Sequence, residues 1–134
     1  MSPIGGLGEI ALRVTDLDAM QRFYANVIGL ELMRRLDASA FFRIADGFAG
    51  HTRILALFDR RDSQSAPPRA DATTVDHLAF AIPLAAYEPE KQRLEALGLR
   101  VDTVEHAWVH WRSLYVDDPE GNRVELVCFD PSVT

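Results

Sequence analysis

The chain has 134 residues, 48% hydrophobic and 25% charged, the profile of an ordinary globular domain long enough to bury a core. Its formal net charge of −6 argues against nucleic acid and anionic membrane surfaces as partners, since both reward clustered Lys and Arg. The single cysteine, Cys128, excludes an intrachain disulfide; with no basic-apolar leader and no apolar run of membrane length, a soluble, cytoplasmic protein is expected.

In chain order, Glu9–Thr15 alternates in polarity and reads as a strand, with Asp16 or Asp18 placed to cap a helix. Met20, Phe23, Tyr24, Val27 and Ile28 then recur at helical spacing, and Gly29 stands where a C-cap belongs. Strands are predicted at Glu31–Leu36, Ala40–Ala45 and Thr52–Phe58. The polar, Pro-containing stretch 59–74 reads as a linker. Beyond it come a strand over Asp76–Ile82 and a helix ending at Leu97 before Gly98. Pro89 restricts that helix to a start between Leu84 and Glu88. A strand at Arg100–Val104 and a hairpin of Arg112–Asp117 with Arg123–Phe129 follow; Asp118-Pro-Glu-Gly-Asn suits a type I turn.

The two halves repeat one another. Glu9 to Gly29 is 20 positions and His77 to Gly98 is 21; Glu9 to Ala56 is 47 and His77 to Glu125 is 48. The unit is βαβββ, used twice, in a single domain over 1–134: one module at about 8–58, the linker, and a second at about 75–130. Two helices cannot cover both faces of eight strands, so one sheet face is left to line a cleft or meet a partner.

Strand alternation sorts the side chains. Ile10, Leu12 and Val14 go to the helix, leaving Glu9, Ala11 and Arg13 on the open side; Leu78, Phe80 and Ile82 likewise leave His77, Ala79 and Ala81. The closing strands give Ile54, Ala56 and Phe58, and Arg123, Glu125 and Val127, to the open side; Ser113 and Tyr115 share a parity. Three of the four matched positions, Glu9, His77 and Glu125, carry groups that bind metals. Singly each has a plainer reading: a surface acid, an exposed strand-end histidine, a carboxylate paired by Arg13 or Arg123. Jointly they fall on matched positions of a repeat, which independent surface residues have no reason to do. Glu105-His-Ala-Trp-Val-His-Trp111 reads as a loop. His106 or His110 is a candidate acid or base there, and Trp108 or Trp111 a wall for an aromatic ligand, against packing of those rings on the sheet or at a dimer contact.

Leu12-Arg-Val-Thr-Asp-Leu17, Phe23-Tyr24, Ile28-Gly-Leu30, Asp76-His-Leu-Ala-Phe80 and Ser113-Leu-Tyr-Val-Asp-Asp-Pro-Glu-Gly-Asn-Arg-Val-Glu-Leu126 together resemble the vicinal oxygen chelate superfamily of glyoxalases, extradiol dioxygenases, fosfomycin-resistance transferases and bleomycin-binding proteins. The resemblance implies an α+β fold in which two βαβββ modules pair into a curved, cleft-forming mixed sheet. It places metal positions on Glu9, Ala56, His77 and Glu125. Glu9 stands where His or Gln is commoner, and Ala56 lacks the carboxylate that glyoxalase I uses as ligand and base, which argues against ordinary glyoxalase I chemistry. It further implies a homodimer.

The expectation is therefore a metal-dependent enzyme. Glu9, His77 and Glu125 hold one divalent ion (Mn, Zn, Ni, Fe or Mg) for a small substrate that chelates it through adjacent oxygens. Glu9, Tyr115 and His110 serve the chemistry, and Arg13, Ser113 and Trp108 bind substrate. Lyase, isomerase, transferase and dioxygenase outcomes stay open. The alternative is a metal-free small-molecule binder of the bleomycin-resistance type.

Overall fold

The computed structural model describes residues 3–61 and 75–134, so most of the expected linker at 59–74 lies outside the described residues. The chain divides into two compact units, Met1–Arg69 and Ala70–Thr134.

The first unit runs β1 (Glu9–Val14), α1 (Leu17–Arg22), a π-helical continuation (Phe23–Ile28), β2 (Glu31–Arg35), β3 (Ser39–Asp46) and β4 (Thr52–Asp59). Asp16 starts the helix: its Oδ1 accepts from the Ala19 amide at 3.0 Å, satisfying an N-terminal donor that the helix itself cannot. The widened last turn closes on Gly29 at φ +89°, where both the Gly29 and Leu30 amides donate to the Tyr24 carbonyl. The sheet order is β1-β4-β3-β2, with β1 parallel to β4 and the rest antiparallel. Val14, Leu17, Met20, Phe23, Tyr24, Ala40, Phe42, Leu55 and Leu57 are buried, as expected for a helix lying on alternate residues of the strands.

The second unit repeats the order: β5 (His77–Ala81), α2 (Tyr87–Ala96), β6 (Asp102–His106), β7 (Trp111–Asp117) and β8 (Arg123–Phe129), with sheet order β5-β8-β7-β6. A short 3-10 turn over Leu84–Ala86 precedes α2, and Pro89 falls in the first turn of α2, where its missing N–H costs nothing. The β7–β8 turn forms as the sequence predicts. The Gly121 amide donates to the Asp118 carbonyl at 3.0 Å, and the Asp118 carboxylate accepts from the Glu120 and Asn122 amides.

One strand differs from its expected position. β6 spans Asp102–His106 rather than Arg100–Val104, because its partners on β7 run from Trp111 to Tyr115 and the tight turn at Ala107–Val109 closes only beyond His106. So Glu105–Trp111 is not all loop: His106 is a strand residue, and His110 occupies a left-handed turn position at φ 58°. Among the described residues, no helix is long and apolar enough to cross a membrane.

Candidate metal and substrate site

Register fixes which residues share the face of the second sheet away from α2's buried residues. His77 pairs with Arg123, Ala79 with Glu125, Tyr115 with Glu125, Ser113 with Val127, and His106 with Trp111. His77, Glu125, Tyr115, Ser113 and His106 therefore lie on one side, while Leu78, Leu114, Val116, Val124, Leu126 and Cys128 go to the core.

Glu125 is the centre of this arrangement. It is 5% exposed, and Tyr115 Oη donates to its Oε1 at 2.5 Å. His77 Nε2 stands 3.7 Å from its other oxygen, and His106 Nε2 3.9 Å from Oε1 and 3.3 Å from Tyr115 Oη. Among the described residues no Lys or Arg pairs with it. Arg123 instead bonds Asp102 at 3.1 Å and lies over the Tyr115 ring at 4.5 Å. A buried carboxylate without a full positive charge beside it is expensive unless something else neutralises it.

His77 is oriented from behind. Its Nδ1 is 2.7 Å from Asp76 Oδ2, an acceptor for the proton on that nitrogen, and this contact orients the ring with Nε2 facing Glu125. Burial, reinforced by the bond to Glu125, raises the Tyr115 pKa above its ordinary value, and nearby Ser113 tempers the rise; Tyr115 is a protonated hydrogen-bond donor at neutral pH. Ser113 Oγ is buried without a hydrogen bond among the described residues.

Of the other expected site residues, Glu9 and Arg13 belong to the first unit, and His110 and Trp108 take other places in the second. Glu9 is exposed at the head of β1, and Arg13, half-buried, shares its side of the first sheet with Ala11, Ile54, Ala56 and Phe58. Phe41 and Phe58 pack edge-to-face there at 5.8 Å. His110 is taken up by structure: its Nδ1 donates to the Val133 carbonyl and its ring stacks edge-on with Phe129, so it ties down the C-terminal segment rather than facing Glu125. Trp108 is 85% exposed in the turn before β7 and walls nothing in the second unit. Sequence reasoning gave no role to Asp76, although its place next to His77 was a signal. It also places His110 rather than His106 in the chemistry, a choice that only the end of β6 decides.

A family model described as the Glyoxalase/Bleomycin resistance protein/Dioxygenase superfamily matches residues 6–126. The chain belongs to this superfamily. A curated relative, catechol-2,3-dioxygenase of Bacillus subtilis (strain 168), is 28% identical over 129 residues, covering 96% of this chain but 43% of its own length. The chain thus spans less than half of that relative. Glutathione transferase FosA of Serratia marcescens is 28% identical, with 90% of this chain and 78% of the transferase covered. Lactoylglutathione lyase from Agrobacterium tumefaciens is similar in structure at a TM-score of 0.70, with 31% identity and 95% and 96% of the two chains covered.

Divalent metals are typical of the superfamily. His77 and Glu125 fit that role. Two ligand atoms each about 2.1 Å from one ion can lie at most about 4.2 Å apart, and the 3.7 Å between Nε2 and Oε2 falls within that reach. Among the described residues, no group of three or more His, Cys, Asp or Glu gathers as a ligand cluster, so the fit rests on this pair.

Proposed function

We propose that the protein is a cytoplasmic, divalent-metal-dependent enzyme. Its substrate is a small molecule that chelates the ion through adjacent oxygens. His77 and Glu125 supply two ligands, and Glu9 is assigned as the third on its matched place in the repeat. The observation that carries this reading is the pair His77 Nε2 and Glu125 Oε2 at 3.7 Å, backed by Asp76 on the far ring nitrogen.

When bound, the ion supplies Lewis-acid stabilisation of negative charge developing on a substrate oxygen. The chain's own residues do the rest. Tyr115, held protonated, keeps its O–H on Glu125 and so orients that carboxylate, and the buried Ser113 hydroxyl is the donor left for substrate on that face. Arg13 is the substrate-binding cation assigned from the first module. His110 is given no part in the chemistry, since its ring is engaged with Val133. Ala56, buried and without a donor, removes the fourth ligand position and speaks for chemistry other than that of glyoxalase I.

A homodimer belongs to this reading. β2 is an edge strand, exposed along its length, and carries Leu32 and Met33.

Metal analysis of untagged protein beside Glu125→Ala tests the proposal. Near-stoichiometric metal that disappears in the variant supports it. Absence of metal after loading, with small-molecule binding unchanged in the variant, favours the metal-free binder instead.

A further inference from the structure

We propose that His106 is a positioning residue of this site: through its Nε2–H it holds the Tyr115 hydroxyl so that the phenolic O–H points at Glu125. The inference rests on the reading that Glu125 holds a cation.

A phenol carries one proton. Tyr115 Oη has two hydrogen-bond partners, Glu125 Oε1 at 2.5 Å and His106 Nε2 at 3.3 Å; the Ser113 hydroxyl lies nearby but forms no hydrogen bond among the described residues. An ionised carboxylate only accepts, and the shorter contact takes the proton. The hydroxyl oxygen therefore turns its lone pair to His106, and the imidazole must be the donor. The chain of bonds runs His106 Nε2–H to Tyr115 O–H to Glu125, each donor strengthening the next.

The Tyr115 ring is already pinned. Arg123 lies over its face at 4.5 Å, and the His77 ring meets it at 6.0 Å and an interplanar angle of 75°. What those contacts leave free is rotation of the hydroxyl about its C–O bond; of the two groups hydrogen-bonded to it, Glu125 accepts its proton and His106 is the one that can donate to its oxygen. The donor comes from the last residue of β6, a different strand from either of its partners, so loss of the imidazole leaves β7 and β8 paired as before. Carboxylates that bind metal are commonly held by such outer hydrogen bonds, and removing those partners weakens the metal.

The test is a double-mutant cycle on Mn²⁺ affinity, read by calorimetry, with His106→Leu, Tyr115→Phe and the pair. We expect His106→Leu to weaken Mn²⁺ roughly tenfold, the low end for partners of metal ligands. It adds nothing further in the Tyr115→Phe background, and His106→Gln, which keeps an N–H donor at similar reach, restores most of the loss. An unchanged affinity in His106→Leu, or the same penalty with and without the tyrosine hydroxyl, overturns the proposal. If the unsubstituted protein binds no Mn²⁺, the metal reading fails by itself. The positioning is then read from the metal-free protein by NMR of labelled tyrosine, with the Tyr115 signals identified by their loss in Tyr115→Phe. Signals that shift in His106→Leu and return in His106→Gln uphold it; signals that stay put in His106→Leu overturn it.

Discussion

Ala56 faces Ala11 across the parallel pair of the first sheet as Glu125 faces Ala79 across that of the second. The same register sets Phe41 opposite Ala56 where Tyr115 stands opposite Glu125, and Ser39 opposite Phe58 where Ser113 stands opposite Val127. One scaffold is thus dressed twice, once with aromatic carbon and once with a hydrogen-bonded carboxylate. Ala56→Glu puts a buried carboxylate beside Phe41 with no partner like Tyr115. It should cost roughly 3 kcal/mol of stability in urea denaturation of the metal-free protein, the scale for an uncompensated buried charge. Unchanged stability would show that Ala56 is not the apolar counterpart described.

Tyr115→Phe removes the donor to Glu125 and leaves a buried acceptor short of a partner. The expected cost is about 1–3 kcal/mol in the same measurement, with the helical content by circular dichroism unchanged. A variant as stable as the parent would mean that the short bond contributes nothing.

Because Tyr115 is raised above the ordinary 10.0, it binds its proton more tightly folded than unfolded. That contribution is fully present below pH 10.0 and is lost as pH climbs from there through the folded value. Phenolate absorbance followed with pH should show a late-titrating tyrosine in the parent that is missing in Tyr115→Phe. An identical pair of curves would contradict the buried, donor-bound hydroxyl.

Asp76→Ala leaves His77 free to turn and to change tautomer. Mn²⁺ affinity should fall roughly tenfold, the modest end of the range for such partners because the Asp76 side chain is itself 92% exposed. Affinity equal to that of the parent would show that the aspartate does not orient the ring.

Much of this arrangement is legible in the chain itself, for identifiable reasons. Strand alternation has a period of two, so Glu9, His77 and Glu125 could be sorted to the open faces by parity alone. The Gly-Leu steps at Gly29 and Gly98 mark the helix ends, and both glycines take positive φ, 89° and 81°. The Asp118 turn carries its own chemistry in its residues. What parity cannot supply is where a strand stops. A slide of two residues in β6 keeps every face assignment yet moves His106 from a loop into a strand, where it reaches Tyr115. Long side chains also choose partners by position in space. Arg123, two residues from Glu125, turns instead to Asp102, a pairing that appears only once β6, β7 and β8 lie side by side.

A crystal structure of the protein grown with Mn²⁺, with the ion located by its anomalous scattering, decides whether His77 and Glu125 hold a cation. The expected result is a peak bonded to both His77 Nε2 and the Glu125 carboxylate, with Asp76 still on the other imidazole nitrogen. No peak at those atoms in a protein that is otherwise folded, or an ion held elsewhere, would contradict it.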